Sequence, residues 1–254
     1  MKVALDRVAM ILLPLAGGVL AALSWRAAFL PFLLVLPLAL VAFLWMPETG
    51  NPHGESLREY LARTFRAVRE PRLTLAFATG FMRFFLDYGL YTYLPLLVVL
   101  RYGASAATSG WLIAISAVGS ILTAVSVGRI HQRQPAERLL ALAFGASALA
   151  LAIIALDQPL WMVAIASFMF GLGNGLISPL QKSLLTRGTH ASLRGGVVSV
   201  DRVIQQIAKS LSPTLMGLLL LVAPLGAVFW SLCAFSTAGT LALMWAVARA
   251  RPAP

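Results

Sequence analysis

Hydrophobic residues in this chain come in long blocks, and polar residues are confined to short gaps between them. A helix needs about 20 mostly apolar residues to cross a hydrocarbon layer near 30 Å thick. About eight blocks reach that length, at roughly 5–23, 27–46, 73–100, 109–128, 138–156, 159–180, 197–222 and 225–248. The pattern predicts an all-α, polytopic membrane protein, because helices satisfy their own backbone groups where lipid offers no partner. One long polar stretch, 48–72, separates a leading pair of spans from the following six. The expected parts are therefore a first pair of helices (1–47), a cytoplasmic linker (48–72) and a six-helix bundle with a short cytoplasmic tail (73–254).

The linker has a pattern of its own. Ser56 and Glu59 form an S-x-x-E capping box, and Leu57, Tyr60, Leu61, Phe65 and Val68 recur at helical spacing until Pro71. Such an amphipathic helix either lies on the membrane surface with its arginines toward lipid phosphates or stands in water.

Composition agrees with the pattern: 59% of the residues are hydrophobic and 11% are charged. A net charge of +11 would point to nucleic acid in a soluble protein, so the placement of the 20 lysines and arginines decides its meaning. They gather between alternate spans: Arg58, Arg63, Arg66, Arg69 and Arg72, then Arg129, Arg133 and Arg138, then Lys182, Arg187 and Arg194. The opposite side has little beyond Arg26 and Arg101. The positive-inside rule then places both termini in the cytoplasm and the chain in the cell membrane, with a lipid bilayer and not nucleic acid as its partner.

Enzyme chemistry has little foothold. Cys233 is the single cysteine, which excludes a disulfide framework and a cysteine-based zinc site. His53, His131 and His190 lie far apart in loop regions, and no H-E-x-x-H or G-x-S-x-G motif occurs. Neither a cofactor nor a metal is expected. The first block resembles a secretory signal, but Asp6, Pro14 and Gly17-Gly18 fit one poorly, and a second span follows at once.

The first two spans also match the last two about 200 residues on. Pro14 pairs with Pro213 and Gly18 with Gly217; after a one-residue slip Ala27 pairs with Ala227, Phe29 with Phe229 and Trp45 with Trp245. Parallel repeats of this kind build transporters.

Several landmarks carry a family resemblance. Pro14, Gly17 and Gly18 resemble the end of the G-P-x-x-G-G motif on the fifth helix of drug/proton antiporters, with Leu13 where that motif has glycine. Trp45-Met46-Pro47-Glu48-Thr49 resembles a frequent ending of the sixth helix. Gly128, Arg129 and the arginines to Arg138 occupy the place of a G-x-x-x-D-R-x-G-R-R type motif, with Gln132 at its acidic position. On these residues the chain resembles the major facilitator superfamily from the fifth of its twelve helices to the end. The resemblance implies a partial fold with a complete C-terminal six-helix bundle and substrate bound between two bundles. It also implies that the missing N-terminal helices or a second chain complete the cavity. The expected function is secondary active transport of a small molecule, proton-coupled efflux by alternating access. Uptake of a sugar or organic anion, or a partner-dependent fragment without transport of its own, are the alternatives.

Charged residues inside spans mark the candidate site, because each costs a few kcal/mol at mid-membrane unless paired or hydrated. Arg83, Asp87 and Tyr91 share one face of the third span, with Tyr88 beside them. Two readings stand open: Asp87 as a proton carrier tuned by Arg83, or a static salt bridge. On the seventh span Asp201, Gln205 and Lys209 form a polar stripe continued by Ser212. Asp201 and Arg202 are read as marking the helix end, while Gln205 and Lys209 are site candidates. Gly171 and Gly175 offer a small-xxx-small packing face around Asn174, a polar group that needs a partner or reaches substrate. Pro95 and Pro179 are expected to kink their spans.

Overall fold

The computed structural model describes residues 24, 26, 33, 35–45, 66, 68, 70–131, 134–156, 158–186, 189 and 193–249. The chain divides into two compact units, Met1–Glu55 and Ser56–Pro254. Within the first unit the described helix is α1, Val35–Trp45, lying in the expected 27–46 span. Pro14, Gly17 and Gly18, the 5–23 span, and the capping box Ser56/Glu59 lie outside the described residues.

The second unit contains six helices among the described residues: α2 (Pro71–Tyr102), α3 (Ala106–His131), α4 (Ala136–Ala155), α5 (Leu160–Thr186), α6 (Arg194–Leu219) and α7 (Leu225–Arg249). No strand occurs among the described residues. The six coincide with the six expected spans, although α5 runs past 180 to Thr186. Lys182 assigns that stretch to a gap between spans, but Leu184 and Leu185 are buried and keep the helix going.

Local chemistry sets the helix ends. Glu70 is extended, as a residue before proline must be, and Pro71 opens α2 where its missing N–H costs nothing. Gly103 closes α2 at φ 60°, and the N–H groups of Gly103 and Ala104 reach back to the Val99 and Val98 carbonyls at 3.1 and 3.3 Å. This is an αL ending, and its left-handed residue favours glycine.

Among the described residues, five helices are long and apolar enough to cross a membrane: α2, α4 and α5 whole, with 107–128 of α3 and 225–245 of α7. With 26 residues α6 is also long enough, but its polar stripe removes it from that set. The interior and the exterior are both apolar. Phe144, Phe170 and Phe229 are fully buried, whereas Trp111, Val125, Leu142 and Trp161 are more than 60% exposed. A surface of that kind suits lipid.

Packing places α5 against α3, α4 and α2, while α7 packs on α4 and α2 packs on α6. The α3–α5 seam is the closest. A Cβ on Gly171 would strike the Ser116 backbone, and one on Gly175 would strike Ser120 O and Thr123 Oγ1. Thr123 Oγ1 donates to the Leu172 carbonyl across the seam at 2.9 Å. The expected small-residue packing face is present, and its partner is α3. By contrast, Gly128 meets open space in the last turn of α3. Arg129 lies on that helix, its side chain outside the described set. Pro95, Pro179 and Pro213 all sit inside helices.

Candidate functional site

Near the middle of α2, Arg83, Asp87 and Tyr91 stand one turn apart on one face, as the spacing predicts. Asp87 is 5% exposed. What the spacing does not predict is the third member of the group. Asn174 from α5 enters between the charges: Arg83 Nε–H donates to Asn174 Oδ1 at 2.5 Å, and the Asn174 amide N–H donates to Asp87 Oδ1. Arg83 Nε also lies 3.8 Å from Asp87 Oδ2. The amide suits this place because one end accepts from a cation and the other donates to an anion. Asn174 thus finds its partners on α2.

Aromatic rings border this triad. Tyr91 Oη lies 3.5 Å from Ser116 Oγ on α3, and its ring meets Phe170 edge-on at 6.5 Å. On the α6 side the Lys209 ammonium sits 4.7 Å from the centre of the Phe84 ring and 5.4 Å from that of Tyr88. The Arg83 guanidinium lies 4.7 Å from the Phe84 ring as well. Arg83, Asp87, Tyr88, Tyr91, Asn174 and Lys209 therefore form one cluster.

Gln205 belongs to a second group. It donates to Asp201 Oδ2 at 2.6 Å, while Gln181 from α5 donates to Asp201 Oδ1 at 3.0 Å. Asp201 is 5% exposed, so it does more than mark the end of a helix. Two neutral amides hold this buried carboxylate, and no cation lies within 4.0 Å of it among the described residues. A Cβ on Gly80 of α2 would collide with the Gln181 amide, so the smallest residue leaves room for that bond. Ser212, farther along the stripe, is buried without a hydrogen-bond partner among the described residues.

Gln181 and Phe84 were not singled out from the sequence. Gln181 follows Asn174 by seven positions, two helical turns on the same face, a signal that was available. Phe84 offered none, since an aromatic residue beside Arg83 reads equally as a lipid-facing one.

Buried charges at mid-span, held by amides from a second membrane-length helix, point to a transporter family, and comparison with known proteins decides which. The profile of the Major Facilitator Superfamily matches residues 3–213 and 101–254. The chain belongs to the major facilitator superfamily. It is an integral membrane protein with a partial fold of that family. Among relatives, the Multidrug resistance protein MdtG of Salmonella arizonae is 24% identical over 210 residues, covering 80% of this chain and 52% of the relative. The MdtG proteins of Salmonella newport and Salmonella agona match with the same identity and coverage. The chain spans about half the length of the relatives it matches.

Proposed function

We propose that this protein moves a small molecule across the cell membrane by alternating exposure of a site centred on Asp87, with both chain termini in the cytoplasm. Asp87 carries the coupling proton. The observation that supports this most is a buried carboxylate at mid-span whose partners, Arg83 and Asn174, come from α2 and α5. A proton arriving there removes the charge that holds the two helices together at that point. Export is the first reading of direction, supported by likeness to proteins named for multidrug resistance.

A second reading, uptake of an organic anion, is supported by the charge balance of the cluster, in which Arg83 and Lys209 outnumber Asp87. Linkage separates the two. A proton on Asp87 makes the cluster more positive, so proton and anion assist each other's binding and travel together. A cationic drug and the proton repel, and exchange.

The test is Asp87→Asn in proteoliposomes under an imposed pH gradient. Gradient-driven flux is lost while passive exchange continues. Gradient-driven flux equal to wild type would remove Asp87 as the carrier and leave a static ion pair.

A further inference from the structure

We infer that Lys209, framed by Phe84 and Tyr88, is the anchor for an anionic group on the transported molecule, a carboxylate or sulfonate attached to an apolar body. The inference rests on the transport reading of the Asp87 cluster but not on its direction.

An ammonium group has three N–H donors and no acceptor. The contacts of Lys209 are the faces of Phe84 and Tyr88, at 4.7 and 5.4 Å from its Nζ. Ring faces attract a cation but give it no lone pairs, so among the described residues the ammonium donors have no acceptor. Among the described residues no carboxylate lies within 4.0 Å of Lys209, and the one ion pair is Arg83 with Asp87. Asp87 is hydrogen-bonded to Asn174 and lies nearest Arg83, so it meets Lys209 only through longer-range attraction, and Asp201 is held by Gln181 and Gln205.

Arg83 strengthens the case. It and Lys209 each lie 4.7 Å from the centre of the same Phe84 ring, so the two cations are no farther apart than twice that distance. Two like charges in one region of a membrane span are costly unless an anion or water accompanies them. Asp87 offsets one of the two. Exposure fits a binding surface, since Lys209 is half-buried and Tyr88 is 40% exposed, which leaves an open ring beside the ammonium. Together they present a cation with an aromatic wall, matching an anion carried on an apolar or aromatic body.

Two probes of equal shape and opposite charge test this at equilibrium, with no gradient: naphthalene-2-sulfonate and 2-naphthyltrimethylammonium, titrated calorimetrically into the purified protein in nanodiscs. The wild type is expected to bind the sulfonate at least about tenfold more tightly, Lys209→Gln to lose that preference, and Lys209→Arg to keep most of it. Labelling gives a readout that needs no variant. Lys2, Lys182 and Lys209 are the only lysines of the chain, so acetylation by a small uncharged reagent resolves each by mass spectrometry. The sulfonate should protect Lys209 and leave Lys182 unchanged.

Equal binding of the two probes, preference for the cation, or unprotected Lys209 in sulfonate-saturated protein would each overturn the assignment. These results are independent of the Asp87→Asn flux measurement. A protein that binds the sulfonate at Lys209 yet shows no proton-driven flux disproves the coupling and keeps the anion site; the reverse pattern keeps the coupling and disproves the anchor.

Discussion

Replacing Asn174 with alanine removes a residue that touches both charges of the α2 pair, and the structure allows the cost to be bounded. The wild-type amide accepts from Arg83 Nε at 2.5 Å and donates to Asp87 Oδ1. Hydrogen bonds to charged groups are each worth about 1.5–3 kcal/mol in water-soluble proteins, which sets an upper limit near 6 kcal/mol for two. Measured side-chain bonds between membrane helices are weaker, averaging about 0.6 and reaching about 1.7 kcal/mol, because the unfolded helices find other partners in the membrane. The Arg83 side chain is 19% exposed, so water replaces part of what it loses, whereas that of Asp87 at 7% recovers little. An intermediate value follows: about 2 kcal/mol, most of it from the Asp87 side. The assay is reversible unfolding in mixed micelles, run as a double-mutant cycle with Asp87→Asn. If the bridge exists, the two substitutions are non-additive by about 1 kcal/mol or more. A cost below about 0.5 kcal/mol for Asn174→Ala, or strict additivity, would refute the bridging arrangement.

Two further substitutions probe the frame around the site. Gly171→Val should be severe, because its side chain would meet the Ser116 backbone, with carbonyl C and Cα at 2.7 and 2.9 Å from the added Cβ; overpacking costs about 1–3 kcal/mol even where neighbours yield, and thermal unfolding in detergent should show it as a clear drop in Tm. Tyr93→Phe deletes a single neutral hydrogen bond, from Tyr93 Oη to the Pro213 carbonyl at 2.6 Å, made possible by the small Gly217 beside it; the same assay should find a loss of about 0.5–1 kcal/mol, and an unchanged Tm would mean the bond contributes nothing.

Helix positions were legible from hydrophobic length alone, because lipid demands apolar runs of fixed extent and the chain has little else. Arg83 and Asp87 were legible for the same reason in reverse, since charge inside such a run is expensive. Their partner was not. Asn174 lies 87 positions from Asp87 in sequence, and periodicity within one helix carries no information about which face of another helix it meets. Asp201 shows a different failure. Its place beside Arg202 near the start of a span resembles an ordinary helix boundary, and only the arrival of Gln181 from α5 makes it a buried acceptor. Gly171 and Gly175 were readable as a contact face, but the identity of α3 as the neighbour required the structure.

Two classes of contact meet α5, and they differ in how they respond to a proton. Toward α3 the contact is steric and uncharged: Gly171 and Gly175 against Ser116 and Ser120, with Thr123 bonded to the Leu172 carbonyl. Toward α2 and α6 the side-chain hydrogen bonds from α5 come from one face, where Asn174 holds Asp87 and Gln181 holds Asp201. Lipid supplies no hydrophobic drive between helices, so such polar bonds, each modest in strength, act beside close packing in holding α2 and α6 to α5. Protonating a carboxylate turns a charge-assisted bond into a neutral one of roughly half the strength and leaves the glycine seam untouched. The bundle therefore has uncharged seams, α3–α5 among them, that protons cannot loosen, and two carboxylate latches whose bonds a proton would weaken. Under the proposed proton coupling, α2 and α6 would rock against a fixed α3–α5 pair. It follows that Asp201→Asn, like Asp87→Asn, should weaken a latch without unfolding the seam.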